Sequence, residues 1–107
     1  MTTDRVLSLL GLAQKAGKIA GGETQVLESI RAGSAMCVII AGDASEGSKK
    51  MYSDKCRYYG VPFMYYSDRQ TLGHAVGKDL RSALAVEDEG LCQAIRKTAP
   101  ELFEEEL

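Results

Sequence analysis

The stretch "GKIAGGETQVLE" (residues 17–28) places a cation, Lys18, and a glycine pair directly before a segment whose apolar residues recur at helical spacing. Backbone amides at Gly22 and Glu23 would then stand at a helix N-terminus, where unsatisfied N–H groups and the helix dipole attract phosphate. An ordinary capped helix fits the same residues, and both readings stay open at this point. Other chemistry finds less support. His74, in "LGHAVG", is the one histidine, and with no metal-ligand spacing around it, it reads as a surface or packing residue. "AGGET" lacks the terminal Gly-Lys-Ser/Thr of a phosphate-binding loop, and no G-x-G-x-x-G follows an expected strand. Asp43, in "GDAS", is explained by turn chemistry. Cys37, Cys56 and Cys92 form no C-x-x-C pair and sit in apolar stretches, which suits buried thiols better than disulfides or zinc ligands. We expect no catalytic residues, no metal site and no cofactor.

Composition narrows the class. A chain of 107 residues with 45% hydrophobic content has room for one core, so we expect a single domain over 1–99 and an acidic C-terminal tail over 100–107. No apolar run approaches the roughly 20 residues of a membrane helix, and the N-terminus lacks the basic start and cleavage site of a secretion signal. The expected location is cytoplasmic, with no membrane partner. The net charge of −2 hides an asymmetry: residues 1–86 carry 11 Lys and Arg against 8 Asp and Glu, and residues 87–107 carry 2 against 7. A mildly basic body is compatible with nucleic acid, and the acidic "EDE" at 87–89 would turn RNA toward the opposite face.

The elements that must position these residues follow from periodicity. Val6, Leu9, Leu10 and Ala13 predict a helix over 4–16, and 18–21 reads as a short extended piece. A second helix at 23–32 ends near Gly33, and "MCVIIA" (36–41) is a buried strand. A third helix carries Tyr52, Cys56 and Tyr59 on its buried stripe and stops at Gly60, leaving Tyr58 as its exposed tyrosine. Lys49, Lys50, Lys55 and Arg57 on that helix read as a solvated face. The strand "VPFMYY" (61–66) completes a βαβ unit, with parallel strands expected. The order then repeats as a helix at 68–76, the strand "SALAV" (82–86) and a helix at 89–98. The expected fold is a three-layer α/β/α sandwich with a small mixed central sheet.

"LLGLAQKAGKI", "GKIAGGETQVLESIRAGSAMCVIIAGDAS" and "DKCRYYGVPFMYYSDRQTLGHAVGK", in that order, resemble the kink-turn-binding ribosomal protein superfamily of the archaeal L-seven-Ae and eukaryotic L-thirty-e type, and within it the small bacterial YlxQ-type members. The resemblance covers roughly residues 4–98. It implies non-catalytic binding of structured RNA through the second-helix entrance, a basic residue before "LG", and the loop leading into the strand at 82–86. The family's G-x-N-E-x-x-K falls on residues 22–28, so Gly22 matches while Thr24 replaces Asn, Gln25 replaces Glu and Glu28 replaces Lys. Thr24 and Gln25 retain hydrogen-bonding ability. Glu28 either stands where the family has a contacting cation or simply pairs with Arg31.

Lys18 matches a basic position ahead of the glycine, and Arg69 in "DRQTLG" takes the place of the family's Lys, so both are candidate phosphate contacts. In "GKDLRS" (77–82), Lys78 and Arg81 add charge where the family is mostly apolar. Leu80 is either a contact for an unstacked base or the first core residue of the strand. The RNA-binding set expected from the resemblance is therefore Lys18, Gly22, Glu23, Thr24, Gln25, Glu28, Arg69, Lys78, Leu80 and Arg81. The expected partner is structured RNA, ribosomal RNA first, with ribosomal proteins as further partners of a monomer. The alternative is a protein-interaction module of the translation or transcription machinery that recognises no RNA directly.

Overall fold

The computed structural model describes residues 4–100 and 103–104. Helix α1 (Arg5–Lys15) leads to strand β1 (Ile19–Ala20), followed by α2 (Glu23–Ala32), β2 (Cys37–Ile40), α3 (Glu46–Tyr59) and β3 (Phe63–Tyr65). The chain continues as α4 (Arg69–Ala75), β4 (Ala83–Val86), α5 (Glu89–Thr98) and β5 (Phe103–Glu104). The five strands form one mixed sheet in the order β1-β4-β2-β3-β5. Helices α2 and α3 pack together, while α1 packs on both α4 and α5, which gives the three-layer α/β/α sandwich that the sequence predicts. Within 100–107, Phe103 and Glu104 pair with Met64 and Phe63 as an edge strand.

The central strands explain why the core forms. Every residue of β2 and of β4 is buried, because helices cover the sheet on both faces, and the sequence of each is accordingly an unbroken apolar run. Leu10 of α1, Ile30 of α2, Leu72 of α4 and Ile95 of α5 all bury fully against this layer. Truncating any one of them to alanine removes contacts worth about 2–5 kcal/mol. Gly33 and Gly60 end α2 and α3 at φ 80° and 71°, a left-handed conformation that glycine adopts without steric penalty.

Two expectations fail. The βαβ order does not repeat as a second parallel crossover: β2 and β3 are parallel, but β4 runs antiparallel to β2, with Cys37 opposite Val86 and Ile40 opposite Ala83. The cause is a short return path. Helix α4 has only seven residues, and the loop after it folds back so tightly that a Cβ on Gly73 would lie 2.5 Å from the Asp79 carbonyl oxygen. The chain therefore re-enters the sheet beside the end it left, where the Ala41 N–H donates to the Ser82 carbonyl at 2.8 Å. The second failure is Tyr59. Tyr52 and Cys56 are buried, but Tyr59 is 40% exposed, since it closes the last turn of α3 and its ring meets Tyr58 at 4.9 Å rather than the core.

Candidate nucleic-acid interface

Helix α2 starts differently from the other four described helices. Asp4, Ser45, Asp68 and Asp88 cap α1, α3, α4 and α5, each accepting a backbone N–H of its own first turn at 2.7–3.1 Å. The capping bond lowers the pKa of the Asp68 carboxyl, chiefly through the Thr71 amide. At α2 the cap position is Gly22, which makes no side-chain capping bond. The first turn of α2 is therefore left without a capping side chain.

Gly22, at this entrance, lines a cleft of about 550 Å³ between β1 and α2. Gly22, Thr24, Gln25 and Glu28 line one wall, and Arg81 closes it from the loop before β4. Side chains crowd both glycines. The Gln25 carboxamide folds back over Gly22 where a Cβ would stand, and the Arg81 side chain lies across Gly21, its Nε only 3.0 Å from the corresponding Cβ position. Arg81 Nη1 donates to the Leu80 carbonyl at 2.9 Å. Its Nε is buried without a hydrogen-bond partner among the described residues, a donor that only a shift of the side chain would expose.

The remaining expected residues do not line the cleft. Lys18, Glu23, Lys78 and Leu80 are exposed; Leu80, at 54% exposure, is a surface residue of the loop and not the first core residue of β4. Arg69 is held in place: its N–H donates to Asp43 at 2.8 Å, its Nε lies 3.5 Å from the same carboxylate, and its carbonyl accepts the Arg81 N–H at 3.1 Å. Asp43 thus serves a longer reach than a local turn, tying the loop after β2 to the start of α4. Glu28 forms an ion pair with Arg31; both side chains are exposed, so the pair contributes no more than about 1 kcal/mol.

One acidic residue sits where the charge distribution did not place it. Glu87, from the "EDE" expected to face away from RNA, lines the same cleft and accepts the buried Ser29 hydroxyl at 2.6 Å. The reason is strand pairing: the Glu87 N–H donates to the Lys18 carbonyl at 2.8 Å, which carries the end of β4 alongside β1. Asp88, its neighbour, is consumed as the α5 cap. Ser29 and Glu87 were invisible as partners in the sequence, being 58 residues apart.

The profile of the ribosomal protein L7Ae/L30e/S12e/Gadd45 family matches residues 4–95. The chain belongs to this family. It is 40% identical over 87 residues to the RNA-binding protein YlxQ of Bacillus subtilis, an alignment covering 81% of this chain and 87% of that protein. A Bacillus halodurans protein described as of unknown function superposes with a TM-score of 0.84 at 37% identity, over 89% of this chain and 96% of that one. The Giardia lamblia 15.5kD RNA binding protein shares the fold at a TM-score of 0.75 and 19% identity, over 95% of this chain and 91% of that one.

Among the described residues no group of three or more His, Cys, Asp or Glu is placed to hold a metal, and no helix is long and apolar enough to cross a membrane. His74 is exposed on α4. Cys37, Cys56 and Cys92 are free thiols in the core; burial pushes the Cys56 pKa up to about 12, which holds it in its unreactive thiol form.

Proposed function

We propose that this chain binds structured RNA without catalysis, in the cytoplasm, with the uncapped entrance of α2 as the point of recognition. The observation that carries the reading is the contrast between Gly22, which leaves its helix open, and the four acidic or serine caps that close the others. A phosphate at the Gly22 and Glu23 amides would occupy the position that a cap side chain fills elsewhere. Thr24 and Gln25, on the cleft wall, present hydroxyl and carboxamide groups suited to base edges, and Arg81 brings a guanidinium to the same cleft. Lys18, Arg69 and Lys78 steer the backbone, and the exposed Leu80 offers an apolar surface to an unstacked base. The relatives named as RNA-binding proteins support the same reading, and ribosomal or ribosome-associated RNA is its natural source.

Kink-turn recognition is the finer form of this proposal. The test is fluorescence anisotropy against a kink-turn RNA, a copy with its tandem G·A pairs replaced, and a plain hairpin, each at two salt concentrations. Preference for the intact kink-turn at the higher salt is the expected result, and Arg81→Ala should weaken it and flatten its log-log salt slope by about 1. Equal, salt-sensitive affinity for all three RNAs would reduce the site to a general phosphate binder. Binding to none of them would overturn the proposal in favour of a protein partner, for which the Glu28 and Glu87 carboxylates in the cleft would select a basic segment.

A further inference from the structure

A second surface is carried by α3. Four large hydrophobic side chains stand exposed among the described residues, and two of them, Tyr58 and Tyr59, are adjacent. Their rings meet at 4.9 Å with an interplanar angle of 78°. Such an edge-to-face pair covers one ring face with the other ring's edge, and at 82% exposure Tyr58 keeps an open face toward solvent. The helix is mildly basic: α3 holds Lys49, Lys50, Lys55 and Arg57 against Glu46 and Asp54, and Lys49 lies 3.8 Å from Glu46. Lys50 holds Asp54 at 2.9 Å, while Lys55, one turn before Tyr58, is exposed.

From this juxtaposition we infer that the Tyr58–Tyr59 pair is a stacking platform for an unpaired nucleobase, with Lys55 contacting the adjacent phosphate. An aromatic face beside a cation matches the two parts of a nucleotide, and stacking of this kind is tolerant of base identity. An acidic protein segment would satisfy Lys55 but leave the open tyrosine face without a planar partner. The platform is separate from the α2 cleft. Helix α3 has 14 residues, which spans about 20 Å at 1.5 Å per residue, and its N-terminal end follows Asp43, the residue that anchors Arg69. Folded RNA held at the cleft would therefore reach Tyr58 with a single-stranded extension and not with the motif itself.

The probes are a labelled short oligouridylate and two kink-turn RNAs, one blunt and one carrying a single-stranded uridine extension, titrated against the full chain. Tyr58→Ala should weaken oligouridylate binding roughly tenfold and erase any gain in affinity that the extension gives, while Tyr58→Phe retains both. Lys55→Ala should weaken the oligouridylate and flatten its salt slope. Blunt kink-turn affinity is expected to stay unchanged in all three variants, so a failed cleft and a failed platform give different patterns. Because Tyr58 is a surface side chain, an unchanged thermal melt verifies each variant's fold. Oligouridylate affinity unaffected by Tyr58→Ala would overturn the inference, and so would capture of an acidic peptide that Tyr58→Ala abolishes while RNA binding is untouched.

Discussion

The entrances of α2 and α4 border the same region and are built on opposite plans. At α4, Asp68 closes the first turn through the Thr71 amide at 2.7 Å, and Arg69 is fastened to Asp43 on one side and to the Arg81 amide on the other. At α2, Gly22 leaves the amides open, with the Gln25 carboxamide folded over it. In the proposed reading, the difference separates support from recognition. A capped helix end has spent its polarity inside the protein and fixes geometry, whereas an uncapped end keeps donors available for an incoming anion. The two are linked, since the loop that α4 and Arg69 hold in place is the one that delivers Arg81 across Gly21.

The comparison can be broken most directly by giving α2 the cap it lacks. Gly22 sits at φ −89° and ψ 161°, a conformation open to any residue, so Gly22→Asp can close the helix with only the flexible Gln25 side chain displaced. The expected outcome is a kink-turn affinity reduced tenfold or more, about 1.4 kcal/mol, with Tm equal to or above that of the wild type. Loss of affinity with a lowered Tm would show that Gly22 serves packing instead.

The reverse change sharpens the other side. Asp68→Ala removes the α4 cap and should lower Tm by roughly 5 °C, with RNA affinity falling only as far as the Arg81 loop loosens. The depressed Asp68 pKa adds a sign: its capping stability is present above the carboxyl's ordinary pKa and is lost as acid protonates it, so wild type and variant melts should converge at low pH.

A smaller effect is expected at α1, where Asp4 both caps Leu7 and accepts the Tyr66 hydroxyl at 2.6 Å. Burial, followed by this hydrogen bond, pushes the Tyr66 pKa up to about 12. A phenol whose folded pKa is raised contributes stability below its ordinary pKa near 10 and loses it as pH climbs toward 12. Tyr66→Phe should therefore lower Tm modestly at pH 7, the difference vanishing in alkaline melts, with no change in RNA affinity at neutral pH.

Much of the fold was legible because its signals are local. Apolar spacing placed α1, α2 and α3, the alternation of helix and strand placed α4 and α5, glycines at 33 and 60 marked the ends of α2 and α3, and the apolar stretches expected at 36–41 and 82–86 hold the two buried strands. Ordered motifs identified the family, while "GGET" left an ordinary capped helix and an open entrance equally in play. The local signal misled at Tyr59, whose helical spacing matched Tyr52 but whose position in the final turn left it outside the core.

By itself, the sequence determined the five helices, the central strands, the family and the residues that make α2 unlike its neighbours, since caps and periodicity act over three or four residues. Only the tertiary structure decided that β4 runs antiparallel beside β2, that Arg81 lies over Gly21, and that Glu87 shares the cleft with Gly22. Each of those depends on strand pairing or loop return between segments dozens of residues apart, where the free energy is set by which surfaces meet and no local pattern records the choice.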